Sequence, residues 1–127
     1  MNKTETITLD APGYDSLAVV LKRAFDQASA GKGRERHANA LPFHEQPMQQ
    51  IAKRRGVGFL LGQADKKSEE AMGLPPGRDV AELLGAIVYL AGAVIFLERQ
   101  RAASGPVQDN TLTPAGVVAR MNERRHD

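Results

Sequence analysis

Fifteen consecutive residues, Leu83 to Leu97 (LLGAIVYLAGAVIFL), carry no charge, and Glu82 and Glu98 bracket them closely. A bilayer span needs about 20 apolar residues, whereas about 10–14 is typical of a buried core helix. The run therefore predicts a helix in the core of a domain or at an oligomer contact, with no membrane as partner. Just ahead of it, Asp79-Val80-Ala81-Glu82 has the spacing of a capping box, which places the helix from Asp79 to about Gln100. Such a helix is apolar on nearly all sides, so burial on nearly all sides is expected. Gly85-Ala86 and Gly92-Ala93 repeat at seven residues and leave a small-residue groove. Each glycine costs about 1 kcal/mol of helix propensity against alanine, so close packing of another helix is the expected compensation. In a chain of 127 residues a helix this apolar exceeds what one modest core covers, which favours a homo-oligomer.

The remaining pattern is helical too. Leu17, Val20, Leu21, Ala24, Phe25 and Ala28 form one stripe of a helix running from about Tyr14 to Ala30, ended by Gly31. Pro47 suits the first position of a short second helix with Met48, Ile51 and Ala52 as its apolar face and Gly56 as its stop. A third helix is expected from Phe59 to Met72. Leu60, Leu61, Ala64, Ser68 and Ala71 form its weak inner stripe, and Lys66, Lys67, Glu69 and Glu70 point to water. Gly73-Leu74-Pro75-Pro76-Gly77 breaks the chain before the long helix. The expected fold is all-α, a bundle of four to five helices around the long buried one, in a single domain. Residues 1–12 form an arm or, through the alternation of Thr4 to Leu9, a short strand. Residues 13–102 form the helical core. Residues 103–127 supply a linker, a short helix after Thr113-Pro114 and a charged tail.

Composition narrows the chemistry. There is no cysteine, hence no disulfide, thiolate nucleophile or Cys-ligated metal, as suits a reducing cytoplasm. The first ten residues are polar and lack the apolar core of a signal peptide. No tryptophan and only six Phe and Tyr residues leave little material for stacking single-stranded bases. None of Ser16, Ser29, Ser68 and Ser104 sits in a nucleophile elbow. Tyr89 reads as a core residue with its hydroxyl tied off.

The charge distribution is uneven. Between Lys22 and Lys67 stand ten Lys/Arg against four Asp/Glu; the rest of the chain holds seven against eleven. A basic half of this kind suits an anionic ligand or partner. The candidate ligand-binding set is Arg34, Arg36, His37, His44, Lys53, Arg54, Arg55, Gly56, Gly58, Lys66 and Lys67. Its centre is Gly56-Val57-Gly58, two close glycines before the third helix, where first-turn N–H groups lack intrahelical partners and suit an anion. The sequence here is not a phosphate-binding GxxxxGK[ST] loop, and no strand precedes it. The same residues also make a plain helix corner with a solvated basic rim. Gln50 to Val57 further matches the first half of a DNA-reading helix-turn-helix, but Gly62 and Asp65 stand where the recognition helix needs apolar residues. His37 and His44, with Glu35 or Glu45, are spaced too widely for a zinc site, and His126 lies in the tail; hydrogen bonding within the loop is the simpler expectation.

Lys66-Lys67-x-Glu69-Glu70, a short break, and then Glu82-Leu-Leu-Gly-Ala-Ile-Val-Tyr-Leu resemble the MazG-like, all-helical nucleotide pyrophosphohydrolases over Ala64 to Leu97. That family carries ExxE on one helix and ExxD on the next, and these carboxylates hold magnesium. The resemblance makes Glu69, Glu70 and Glu82 the metal candidates here. Met72, Gly73 and Gly85 stand where their second acids belong, so no cofactor and no metal-dependent hydrolysis is expected. The block RERHA, PF, EQP, GF, LGQA and KK, from Arg34 to Lys67, resembles small phage and prophage proteins. The resemblance implies a role in phage–host conflict, by inhibiting a host defence system or sequestering a nucleotide signal; the basic set itself suggests a non-catalytic binding protein that engages a nucleotide or a nucleic-acid-associated partner.

Overall fold

The computed structural model describes residues 4–30 and 41–105. Within them the chain is all-α: α1 spans Asp15–Ala30, a 3-10 turn Phe43–Glu45, α2 Pro47–Arg55, α3 Gly58–Ala71 and α4 Arg78–Ala103. There is no strand among the described residues. Thr4 to Leu9 lies exposed and outside any helix or strand; with no neighbouring strand to take its N–H and C=O groups, the alternation alone does not make a sheet. Gly31 to Ala40 and the residues after Gly105, including the short helix expected after Thr113-Pro114, lie outside the described residues.

Local chemistry sets the helix ends. Pro47 occupies the first turn of α2 with its φ already helical. Gly56 closes α2 at φ 90, and its N–H donates to the Ala52 carbonyl at 2.6 Å. The break before α4 ends on Gly77 at φ 94. Its carbonyl accepts from Ala81 N–H, so Gly77 takes the capping position. The capping box expected from Asp79 and Glu82 does not form. Asp79 sits one turn-step too far in, and its Oδ1 accepts from Gly77 N–H at 3.0 Å and Val80 N–H. The carboxylate still compensates the positive end of the helix, while Glu82 is released for another partner.

The chain divides after Leu97. In the first unit, Ala52, Leu60, Ala93 and Phe96 form the central cluster, with Met48, Val57, Phe59, Tyr89 and Leu97 packed against it. The groove of α4 is filled from within the same chain. A Cβ on Gly92 would meet Gln49 Nε2 at 3.3 Å and Met48 Sδ at 3.4 Å, and one on Gly85 would meet Lys67 Cδ at 3.1 Å. Gln49, only 2% exposed, uses this closeness: its Nε2 donates to the Gly92 carbonyl at 3.0 Å. A helix carbonyl has a second lone pair, and the missing side chain at Gly92 exposes it. On the other flank, Gln27 of α1 donates to the Ala81 carbonyl at 3.1 Å. Two glutamines thus fasten α1 and α2 to the backbone of α4. The second unit begins at Glu98; its described part is the exposed end of α4, where Ser104 Oγ donates to the Gln100 carbonyl at 3.0 Å.

Three packing expectations are corrected. α4 is not buried on all sides: Leu84, Gly85, Ala86, Gly92, Ala93 and Phe96 are buried, while Val80, Leu83, Leu90 and Val94 stand exposed. α4 is also long and apolar enough to cross a membrane. On α1 only Ala24 is buried; Leu17, Leu21 and Phe25 are exposed, Phe25 at 68%. On α3 the inward positions are Leu60, Ala64, Lys67 and Ala71, at i, i+4, i+7 and i+11; Leu61 and Ser68 face out. Lys67 was expected in water. Its aliphatic stem instead covers Gly85, as long cationic side chains can while the ammonium keeps a polar contact.

Candidate functional site

The small residues of α4 that allow close packing also leave space. Ala81, Gly85 and Val88 form the base of a cleft of about 510 Å³. One wall is the last turn of α1, with Gln27 and Ala28. The other is the 3-10 turn and the start of α2, with Phe43, Gln46, Pro47, Met48 and Ile51. Phe59 and Lys67 of α3 and Glu82 and Tyr89 of α4 complete it. The Gln46 and Gln50 side chains brace the turn, donating to the Leu41 and Glu45 carbonyls at 3.1 and 3.3 Å.

Charge enters this apolar cleft through one pair. Lys67 Nζ lies 3.5 Å from Glu82 Oε1, and both side chains are nearly three-quarters shielded, at 28% and 27% exposure. The same ammonium lies 5.9 Å from the centre of the Tyr89 ring, within cation–π range. At 3.5 Å the pair is longer than a tight charge-assisted hydrogen bond. The site therefore presents a cationic donor, an anionic acceptor and aromatic faces in one place. Cavities of about 300–1,000 Å³ with apolar walls and a few convergent polar groups are the usual form of small-molecule sites.

The candidate residues read from the sequence scatter around this geometry. Lys67 and Glu82 are in the cleft. Lys66 is exposed and lies 3.7 Å from Glu70. Lys53, Arg54 and Arg55 are exposed at the end of α2, where cations suit the carbonyl end of a helix. Arg55 follows the cleft residue Ile51 by four positions, so the two share a helix face. His44 Nε2 lies 3.7 Å from its neighbour Glu45. Arg34, Arg36 and His37 lie outside the described residues. At the Gly56–Gly58 corner three N–H groups of the first turn of α3 are already engaged. Phe59 donates to Gly56, and Leu60 and Leu61 donate to Val57, at 2.9–3.3 Å. Gly58 is exposed with open space about it.

The carboxylates of the hydrolase resemblance part company as well. Glu69 and Glu70 are exposed on α3, Glu82 faces Lys67, and among the described residues no three His, Asp or Glu gather as a metal site. The α2–α3 corner does have helix-turn-helix form, with Ala52 fully buried, yet the open side of α3 carries Gly58, Gly62, Asp65 and Glu69, acids included. Sequence reasoning passed over Gln27, Phe43, Gln46 and Met48. Nothing in their spacing signals a cleft, because it arises from three elements meeting over Ala81 and Gly85. No family model, curated protein or solved structure matches this chain.

Proposed function

We propose that this chain is a non-catalytic binding protein whose ligand is an anionic small molecule of nucleotide type, held in the cleft over Gly85. The observation that carries this reading is the convergence of Lys67, Glu82 and Tyr89 in a mostly apolar pocket of about 510 Å³. A nucleobase has apolar faces and an edge of alternating donors and acceptors. Phe43, Phe59 and Tyr89 supply faces for the ring. Lys67 and Glu82 supply a donor and an acceptor for its edge, exchanging a long ion pair for two shorter contacts. The phosphates extend toward Arg55 and the basic end of α2, which keeps the sequence-level link between the basic half and an anion. In the phage setting implied by the Arg34–Lys67 block, such a protein acts by sequestering a nucleotide signal or by inhibiting a host complex that uses one.

Isothermal titration with the ribo- and deoxyribonucleoside triphosphates tests this. Saturable binding to at least one of them, weakened tenfold or more by Lys67→Met and by Tyr89→Ala, supports the reading. Binding that ignores both substitutions, or none at all, overturns it. Turnover of the bound nucleotide with magnesium, lost in Glu82→Gln, would restore the hydrolase reading instead.

A further inference from the structure

The side of α4 turned away from the cleft is organised as a dimer seam. Val80, Leu83, Ile87, Leu90, Val94 and Leu97 alternate at spacings of three and four residues, which confines them to one side of the helix, opposite Gly85 and Gly92. Val80, Leu83, Leu90 and Val94 are 39–57% exposed; Ile87 and Leu97 are half-buried, Leu97 partly against the central cluster. In heptad terms the a positions hold Val, Ile and Val, and the d positions hold Leu three times. β-Branched residues at a with leucine at d are the combination that favours two parallel strands. Of the flanking positions, Ala91 is exposed and uncharged while Ala86 and Ala93 are buried within the chain, so a second helix can approach on the Ala91 side without burying charge. We propose that two copies of this chain pair through this seam as a parallel two-stranded coiled coil, leaving the two clefts facing away from each other.

Area supports a second copy of modest affinity. From these exposures the seam offers roughly 400 Å² of apolar surface per copy, the scale at which an exposed patch marks a contact. Two copies bring together about 800 Å² of it, short of the roughly 1,000 Å² of a stable biological interface, so the dimer is weak and forms in a concentration-dependent way. A bilayer is a poorer occupant. A spanning helix must meet lipid or apolar protein all round, and α4 is packed on α2 and α3, which expose Lys53, Arg54, Arg55, Asp65, Lys66 and Glu69. This inference is independent of what the cleft binds.

The test uses the full chain, which has no native cysteine. Sedimentation velocity should show mass rising from monomer to dimer with concentration. Leu83→Lys/Leu90→Lys, at exposed sites, should stay monomeric throughout with unchanged helical circular dichroism. Val80→Cys and Val94→Cys, near opposite ends of the seam, should each crosslink to themselves on mild oxidation, because parallel pairing sets each residue against its own copy. These cysteine variants keep the test decisive if the lysine variant fails to fold. Monomeric wild-type protein at all concentrations, absence of both crosslinks, or recovery of the chain as a detergent-solubilised monomer from membranes would each overturn the proposal.

Discussion

Replacing Gln49 isolates the contact that holds α2 on the long helix. Its side chain is 2% exposed and its amide donates to the Gly92 carbonyl at 3.0 Å. Gln49→Ala removes that hydrogen bond, a net loss of about 1 kcal/mol. It also removes a methylene and an amide from a filled site and leaves a cavity, which adds about 1 kcal/mol or more. The expected total is about 2 kcal/mol, or roughly 10 °C in Tm for a domain of this size. Gln49→Met keeps the volume. The Gly92 carbonyl retains its helix partner, the Phe96 N–H, so no acceptor is orphaned and the cost is about 1 kcal/mol or less. Gly92→Ala is destabilising alone, because its Cβ would lie 3.3 Å from the Gln49 amide. Combined with Gln49→Ala the nearest contact is relieved, leaving Met48 Sδ at 3.4 Å, and alanine recovers up to about 1 kcal/mol of helix propensity. Thermal and urea unfolding of the parent, the two single alanine variants and the double variant form a double-mutant cycle with an expected coupling of about 1 kcal/mol. Strict additivity, or a Gln49→Ala variant as stable as the parent, would refute the claim that the small residue exists to admit the glutamine.

Further outcomes follow from the same geometry. Gly85→Leu projects into the cleft against the Lys67 stem, 3.1 Å from the new Cβ; it should cost about 1–3 kcal/mol as overpacking and abolish ligand binding, read by denaturation and titration. Lys67→Met should change stability by no more than about 1 kcal/mol, since a part-exposed ion pair contributes little, while binding falls tenfold or more. Gly56→Ala, at φ 90, should destabilise by about 1–2 kcal/mol through backbone strain. Gly58→Ala and Gly62→Ala, with open space around each in α3, should stabilise by up to about 1 kcal/mol. Equal losses at all three glycines in a thermal melt would reinstate the corner as a glycine-dependent site.

The helices were legible because their punctuation is strong. Pro47, Gly56 and the Gly73–Gly77 break each impose a backbone constraint that tertiary contacts do not overrule, and the observed ends differ from the expected ones by few residues. Which faces are covered was not legible. A helix apolar all round gives no angular contrast, so the bare side carrying Leu83, Leu90 and Val94 was indistinguishable from the packed one. The α1 stripe failed for a related reason: periodicity shows that Leu17, Leu21 and Phe25 share a face, and it does not show that anything covers that face. Lys67 defeated the pattern because a lysine stem is as apolar as a leucine, and the space for it depends on a glycine eighteen positions later. Glu82 was assigned to a cap that Gly77 had already taken, so its contact with Lys67 was hidden. The cleft thus depends on packing between elements, which single-chain spacing does not encode.

The central claim is that the cleft over Gly85, and not the Gly56–Gly58 corner, receives the ligand. Amide and methyl NMR of the full chain, titrated with each nucleoside triphosphate in turn, tests it most directly. The account predicts shifts at Met48, Gly85, Val88 and Tyr89 with one or more of these nucleotides and little change at Gly58 and Gly62. Shifts confined to Lys53 through Gly58, or no shifts with any nucleotide, would contradict it.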